Sequence, residues 1–272
     1  MKKIVSAITS IIALSTLLTA CGGDEDTITV GVNGSGIPVW EYIADKVENE
    51  GITIDIMEFD DYVRPNMALA DGEIDINAFQ TISYFENFIN EHSLDLVPIA
   101  STYLAPMGMY SEKHPSPNEI PEGGQVAVPQ EETNQGRALL LLEAAELIEL
   151  EEGFDGVGGA ENIVSNPLNL EIVEVVAAQT PRVLPDVDAS IINNGVAVEA
   201  GFTPVQDAIF IEDDTAEPYI NIIATQSGRE DEEVLQTIVE LYQEDDTIEF
   251  IRDTYNDSLV PVFISVDELQ DY

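Results

Sequence analysis

Short apolar runs alternate with segments of helical period along most of the chain. Thr27 to Val32 reads as a strand, Trp40 to Glu50 as a helix, and Ile52 to Phe59 as an alternating strand. Asn66 to Ala70 reads as a short helix stopped by Gly72, Ile74 to Phe79 as a strand, and Tyr84 to Asn90 as a helix. A second series follows, with Gln125 to Val128 as a strand, Gln135 to Leu150 as a helix, and Leu170 to Val175 and Ala189 to Ile192 as strands. Near the end, Leu235, Ile238, Val239 and Tyr242 fall at i, i+3, i+4 and i+7, and Ile248, Ile251 and Tyr255 continue as a second amphipathic helix. This alternation predicts a parallel α/β architecture.

Two proline-bearing segments, Thr102-Tyr103-Leu104-Ala105-Pro106 and Glu217-Pro218-Tyr219-Ile220-Asn221, read as extended chain, because the residue before a proline resists helix. Taking both as crossovers divides the chain into two lobes. Residues 28–104 with 219–272 form the first and residues 105–218 the second, with the cleft between them as the expected ligand site.

The amino terminus carries a different pattern. Lys2 and Lys3 precede an apolar run from Ile4 to Leu18, too short for a stable bilayer span but suited to a secretory leader. Leu18-Thr19-Ala20-Cys21-Gly22 looks like the lipobox of bacterial lipoproteins, in which the cysteine is lipidated and becomes the first residue of the mature chain. This predicts a signal peptide over residues 1–20, a lipidated tether over 21–27, and a membrane anchor on the extracytoplasmic face. Cys21 is the only cysteine, so no intrachain disulfide forms. The competing reading is an ordinary secreted protein with a free thiol.

Charge changes the picture most. The chain holds 53 acidic and 9 basic residues, for a formal charge of −44, yet 44% of it is hydrophobic, enough to build an ordinary core. Such a surface repels nucleic acid and anionic headgroups and points to an environment of high salt or high pH. Acidic runs such as Glu143 to Glu152 or Glu212-Asp213-Asp214 lack a calcium-loop pattern and read as solvated faces; no metal site is expected.

Scarcity makes each arginine informative. Arg229 and Arg252 sit in the carboxyl-terminal helical region and read as local ion-pair partners. Arg137 follows Thr133-Asn134-Gln135-Gly136 at the start of an apolar helix, where a cation opposes the helix dipole unless an anion lies nearby. Two readings stand at this point: a carboxylate receptor, or a surface arginine paired with Glu131 or Glu132.

Several blocks together resemble the NlpA/MetQ methionine-binding lipoproteins. They are Val30-Gly31 with the glycine-rich turn after it, Phe59-Asp60-Asp61-Tyr62-Val63-Arg64-Pro65-Asn66, the run from Ala68 to Gln80, and Val126-Ala127-Val128-Pro129. Thr133 to Leu142, Asp188-Ala189-Ser190-Ile191-Ile192-Asn193 and Pro218-Tyr219-Ile220-Asn221 complete them, in order, from the lipobox to about Val262.

The resemblance implies a type II periplasmic-binding-protein fold with two α/β lobes joined by two crossover strands. It also implies the substrate-receptor role of an ABC importer, with a permease and cytoplasmic ATPase as partners and methionine or a close relative as ligand. By position, Arg137 would clamp the ligand carboxylate, and Asn193 and Asn221 would bind the amino acid backbone groups. Tyr62, Phe79 and Tyr84 would line the side-chain pocket, with Gln80 and Asn134 also in the site. The sequence departs from the family at Thr81, where His is usual, and at Asn194-Gly195-Val196. These departures leave D-methionine, a methionyl peptide, another small apolar amino acid or another anion open as ligands.

Two other classes compete. An enzyme would have only His92 and His114 as imidazole bases, and neither lies in a nucleophile, metal or phosphate-loop motif, so neither catalysis nor a cofactor is expected. Both histidines read as loop residues. A structural envelope lipoprotein would explain the anchor and charge but not the clustered polar residues.

Overall fold

The apolar runs assemble into two principal sheets in the computed structural model of the protein, which describes residues 26–213 and 217–269. The expected signal peptide and Cys21 lie outside the described residues. From its start to Leu104 the chain runs β1 (Asp26–Val32), α1 (Ile37–Val47), β2 (Ile52–Glu58), α2 (Arg64–Ala70), β3 (Ile76–Thr81), α3 (Ile82–His92) and β4 (Leu96–Leu104). It continues through β5 (Gly108–Tyr110), β6 (Gln125–Pro129), α4 (Glu132–Ala144), β7 (Glu149–Leu150), β8 (Ile163–Ser165) and β9 (Glu171–Val175). Then come α5 (Thr180–Val183), β10 (Ala189–Ile192), α6 (Asn194–Glu199), α7 (Pro204–Asp207) and β11 (Phe210–Ile211). The last part is β12 (Ile220–Gln226), α8 (Glu233–Tyr242), α9 (Asp245–Tyr255), β13 (Val260–Pro261) and α10 (Val266–Leu269).

The first sheet has the order β13-β4-β12-β3-β1-β2 and the second β11-β5-β10-β6-β9. Neither is wholly parallel, unlike the expected sheet. β1 runs parallel to β2 and β3, but β12 enters between β3 and β4 antiparallel to both. In the second sheet β6 is parallel to β9 and β10, whereas β5 is antiparallel to β10 and β11. Two of the reversed strands, β5 and β12, adjoin the passages between sheets, and the third, β13, pairs antiparallel with the other edge of β4.

The cores follow from which faces are apolar. Val30, Val32 and Ile76 of the first sheet pack with Val39, Trp40 and Ile43 of α1 and with Leu235, Ile238 and Tyr242 of α8. The Trp40 and Tyr242 rings lie 5.5 Å apart between centroids. In the second sheet, Val126, Val128 and Ile191 pack with Ala138, Leu139, Leu141 and Leu142 of α4. That helix is apolar on nearly all sides over this stretch and is buried accordingly.

Several boundaries move for local reasons. The first expected helix starts earlier, with Pro38 in its opening turn, and its last three expected residues form a 3₁₀ turn closed by Gly51 at φ 78°. α4 stops at Ala144 because Glu146 takes a left-handed conformation at φ 59°, and Glu149–Leu150 then pairs with β8 instead of continuing the helix. α3 is longer than expected: Thr81 Oγ1 accepts the Tyr84 amide at 3.2 Å as an N-cap. His92 is therefore the last residue of a helix rather than a loop residue, its ring stacked on Phe88 at 4.1 Å. Glu217–Tyr219 is a 3₁₀ turn rather than extended chain, with β12 starting directly after it.

The remaining cations divide unequally. Arg229 lies in the turn before α8 rather than in a helix; it bonds Glu232 and also reaches Asp75 at 2.8 Å, so its pairing is more than local. Arg252 makes no ion pair among the described residues, contrary to expectation.

Candidate functional site

A cavity of about 390 Å³ lies between the sheets, and its walls come from both lobes and both crossovers. The loop after β2 contributes Asp60 to Val63, the end of β3 contributes Phe79, Gln80 and Thr81, and α3 contributes Tyr84. Facing these are Glu131, Asn134 and Arg137 around the start of α4, Asn193 and Asn194 at the β10–α6 junction, and Asn221 on β12. All eight expected ligand residues, Arg137, Asn193, Asn221, Tyr62, Phe79, Gln80, Tyr84 and Asn134, line this one space.

Its apolar end is an aromatic cluster. Tyr62 lies 6.0 Å from both Phe79 and Tyr84, and Phe79 meets Tyr84 edge-on at 6.4 Å. The Tyr84 hydroxyl donates to the Tyr62 carbonyl at 2.9 Å, which ties α3 to the loop after β2. Burial pushes both phenols well above the ordinary tyrosine range, so the wall is uncharged.

Gln80, on the cavity wall, is held by polar neighbours of its own. Its carboxamide exchanges hydrogen bonds with Asn66 at 2.7 Å in both directions and donates to Asn77 Oδ1 at 3.0 Å. Asn77 Nδ2 in turn donates to Asn66 Oδ1 at 2.9 Å. This buried amide triad fixes the end of β3 from which Phe79 projects.

The polar end centres on Arg137. Its side chain is only 3% exposed, and it pairs with neither Glu131 nor Glu132 but with Glu212, itself 12% exposed and lying after β11. Nε donates to Glu212 Oε1 at 3.0 Å and Oε2 at 3.2 Å, while Nη2 donates to the same carboxylate and to the Ala105 carbonyl at 3.0 Å. Glu212 also accepts the Met107 amide at 3.0 Å, so it is no solvated acidic face. The guanidinium lies 4.2 Å over the Tyr219 ring. Burial raises the Tyr219 phenol to about 12, with Arg137 pulling the other way.

Arg137 stands in the second turn of α4, not the first, and its counter-anion comes from across the fold rather than from the helix start. It is fastened to both passages between the sheets, through Ala105 on one side and Glu212 and Tyr219 on the other. Nη1 makes no hydrogen bond among the described residues and stays available on the cavity side.

The amides complete this end. Asn193 Nδ2 donates to Asn134 Oδ1 at 2.8 Å, which orients the pair. Asn194, adjacent to it, donates to the carbonyls of Pro106 at 3.2 Å and Ser258 at 3.0 Å, pinning α6 to the first lobe. At the rim, the Ser35 amide donates to Glu199 Oε1 at 2.9 Å across the cleft, and Tyr62 packs onto the cluster of Tyr110, Leu184 and Val196. These contacts join the two sides of the cavity at its rim.

Glu131, Glu199, Glu212 and Tyr219 were not among the residues expected in the site. Glu212 and Glu199 carry no local signal in a chain with so many acids, and Glu131 was legible only as a helix-start acid. Among the described residues no group of three or more His, Cys, Asp or Glu is placed to hold a metal ion.

Known proteins resemble this chain over most of its length. The D-methionine-binding lipoprotein MetQ of Salmonella typhi is 39% identical over 253 residues, covering 90% of this chain and 93% of the relative. A nutrient binding protein from Burkholderia cenocepacia, solved bound to methionine, matches with a TM-score of 0.84 and 37% identity, over 87% of this chain and 100% of that one. Protein PG110 from Staphylococcus aureus matches with a TM-score of 0.87 and 38% identity, over 90% and 97% of the two chains. The family model for the NlpA lipoproteins matches residues 28–263, and the chain belongs to that family.

Proposed function

We propose that this chain is the lipid-anchored receptor of an ABC importer. It captures methionine or a closely related amino acid between its lobes, residues 28–104 with 219–272 and residues 105–218, and hands it to a membrane permease served by a cytoplasmic ATPase. The observation that carries this reading is the convergence, in one interlobe cavity, of an arginine with a free donor edge, the amides of Asn134, Asn193 and Asn221, and an aromatic wall. The likeness to methionine-binding relatives supports the ligand class.

Each part then has a task. Arg137 Nη1 receives the ligand carboxylate. Asn221, whose side chain makes no hydrogen bond among the described residues, offers both a donor and an acceptor to the backbone end of the ligand. Asn193, oriented by its bond to Asn134, completes the polar wall beside Asn221. Tyr62, Phe79 and Tyr84 enclose the thioether, where area burial and sulfur–aromatic contact both contribute. Thr81 serves as the cap of α3 where the family usually places His, so that side of the pocket is shaped by a short hydroxyl. The protein binds and releases; it does no chemistry.

A thermal-shift screen of free amino acids tests this directly. At 100 times Kd, binding adds about 2.7 kcal/mol, a rise of about 5–10 °C for a chain of this size, and only methionine-like compounds should produce it. Asn221→Ala should weaken methionine by about 10- to 100-fold in calorimetry, since it removes two ligand contacts at once. An unchanged Kd in that variant would move the backbone-binding site elsewhere.

The anchor is tested separately. Cys21→Ser should leave the melting temperature unaltered while the protein loses lipid and its membrane fractionation. A processed, membrane-retained Cys21→Ser protein would rule out the lipobox reading.

A further inference from the structure

Helix α6 divides its contacts between the two sides of the molecule. Val196 and Ala197 pack into the cluster of Tyr110, Leu184 and Ile192, beside the strand β10 from which the helix springs. Asn194, Gly195, Val198 and Glu199 stand at i, i+1, i+4 and i+5 and so share a second face.

All four meet residues that belong with the first sheet. The Asn194 carboxamide donates to the carbonyl of Ser258 at 3.0 Å, just past α9, and to that of Pro106 at 3.2 Å, in the first passage between sheets. Gly195 approaches Ser35 so closely that an added Cβ would stand 2.6 Å from its hydroxyl oxygen. Val198 packs against the core of the first sheet, and Glu199 Oε1 accepts the Ser35 amide at 2.9 Å. The receiving surface is braced from behind. The Tyr255 hydroxyl donates to the Ser35 carbonyl, and the Ser258 hydroxyl donates to the Tyr255 carbonyl at 2.6 Å, so these three residues form one ledge.

Of the four, only Asn194 is buried, at 2% exposed. Its Nδ2 is committed twice and its Oδ1 is buried, so this amide holds protein to protein rather than protein to ligand. The residue just before the helix, Asn193, lies in the cavity wall. One short helix therefore links that wall to the seam between the two sides.

We infer that α6 is the clasp that holds the two sides together over a bound ligand, with Asn194 as its principal positioning residue. This rests on the receptor reading above and deepens it: part of the affinity is set at a seam the ligand does not touch. A receptor whose binding-competent arrangement is only partly populated shows an affinity reduced by that fraction. Without the Asn194 amide, joining the two sides would bury the Ser258 and Pro106 carbonyls with no donor from α6, a cost borne by the clasped arrangement alone.

The Ser35 amide reports on the seam, because its acceptor, Glu199, comes from across it. In wild type, saturating L-methionine should slow hydrogen exchange at this amide by about 10-fold or more. Asn194→Ala leaves the Ser35–Glu199 bond itself intact. It should weaken methionine about 10-fold in calorimetry and speed Ser35 exchange in the saturated protein by a similar factor, with the ligand-free melting temperature within about 2 °C of wild type. Val198→Ala trims the same seam without removing a hydrogen bond and keeps the test decisive if Asn194→Ala folds poorly. It should weaken methionine and speed Ser35 exchange by about 3-fold or more.

Weakened binding with unaltered Ser35 exchange at saturation would make these residues ligand contacts and overturn the inference. A lowered ligand-free melting temperature in both variants would make the face an ordinary structural one and overturn it as well. So would wild-type affinity in both variants, or a wild-type Ser35 amide that methionine does not slow. A wild type that binds methionine with unaffected variants defeats the clasp alone, whereas a wild type that binds no amino acid defeats the receptor reading and the clasp with it.

Discussion

Arg137→Ala is expected to lose methionine binding and fold stability together. Removing the guanidinium strips a desolvated ligand carboxylate of its donor, a loss on the order of 3 kcal/mol or more of binding, equivalent to about 100-fold or more in Kd. It also leaves Glu212, 12% exposed and previously bonded by Nε and Nη2, as an unpaired buried charge, which costs a further amount of about 3 kcal/mol in stability. The two losses separate in a double variant. Arg137→Ala with Glu212→Gln removes the stranded charge, so its urea midpoint should recover a large part of the loss while calorimetry still shows no methionine binding. A well-folded double variant with wild-type affinity would mean that the ligand carboxylate is held by other groups.

Gly136→Ala should be the most damaging single-methyl change in the protein. In an ordinary helix interior the substitution gains about 1 kcal/mol from propensity. Here an added Cβ would stand 2.1 Å from the Gly156 carbonyl oxygen and 2.4 Å from its carbon. The obstacle is backbone, and Gly156 itself is held at φ 85° with the Tyr219 hydroxyl against it, so neither side can yield cheaply. Overpacking of this kind costs about 1–3 kcal/mol or more, and it displaces the turn of α4 that carries Arg137. The expected readout is a lower urea midpoint with weakened methionine binding. A midpoint equal to or above wild type would refute the close approach of the 151–159 loop to α4.

Much of this was legible in the sequence because the signals are local. Strand runs such as Thr27 to Val32 and Ala189 to Ile192 are apolar enough to declare themselves, and the periodic spacing in α8 marks its buried face without any tertiary information. Arg137 stood out because the chain has so few cations, and the ordered family blocks gathered the aromatic and amide residues that line the cavity. What stayed hidden depends on distant partners. Glu212 lies 75 positions from Arg137 and looks like any other acid in its run. The Asn66–Asn77–Gln80 triad satisfies Gln80 from within the fold, which no spacing rule announces. The end of α4 was missed because the left-handed residue that stops it is Glu146 rather than a glycine.

The position of β12 has a consequence for the order in which the protein can assemble. Strands β5 to β11 are contiguous in the chain, so the second sheet can complete itself from residues 108–211 alone. The first sheet cannot. Its strand between β3 and β4 is Ile220–Gln226, and until that segment is available both neighbours present unpaired, apolar edges separated by a gap one strand wide. Closing it joins residues more than 110 positions apart, as in the pairing of Asn221 with Thr81, a slow non-local step. During synthesis the lobe begun first is therefore finished last, and its cohesion depends on a strand that also brings Asn221 into the cavity wall. The chain acquires a complete ligand cavity no earlier than it acquires a complete first sheet.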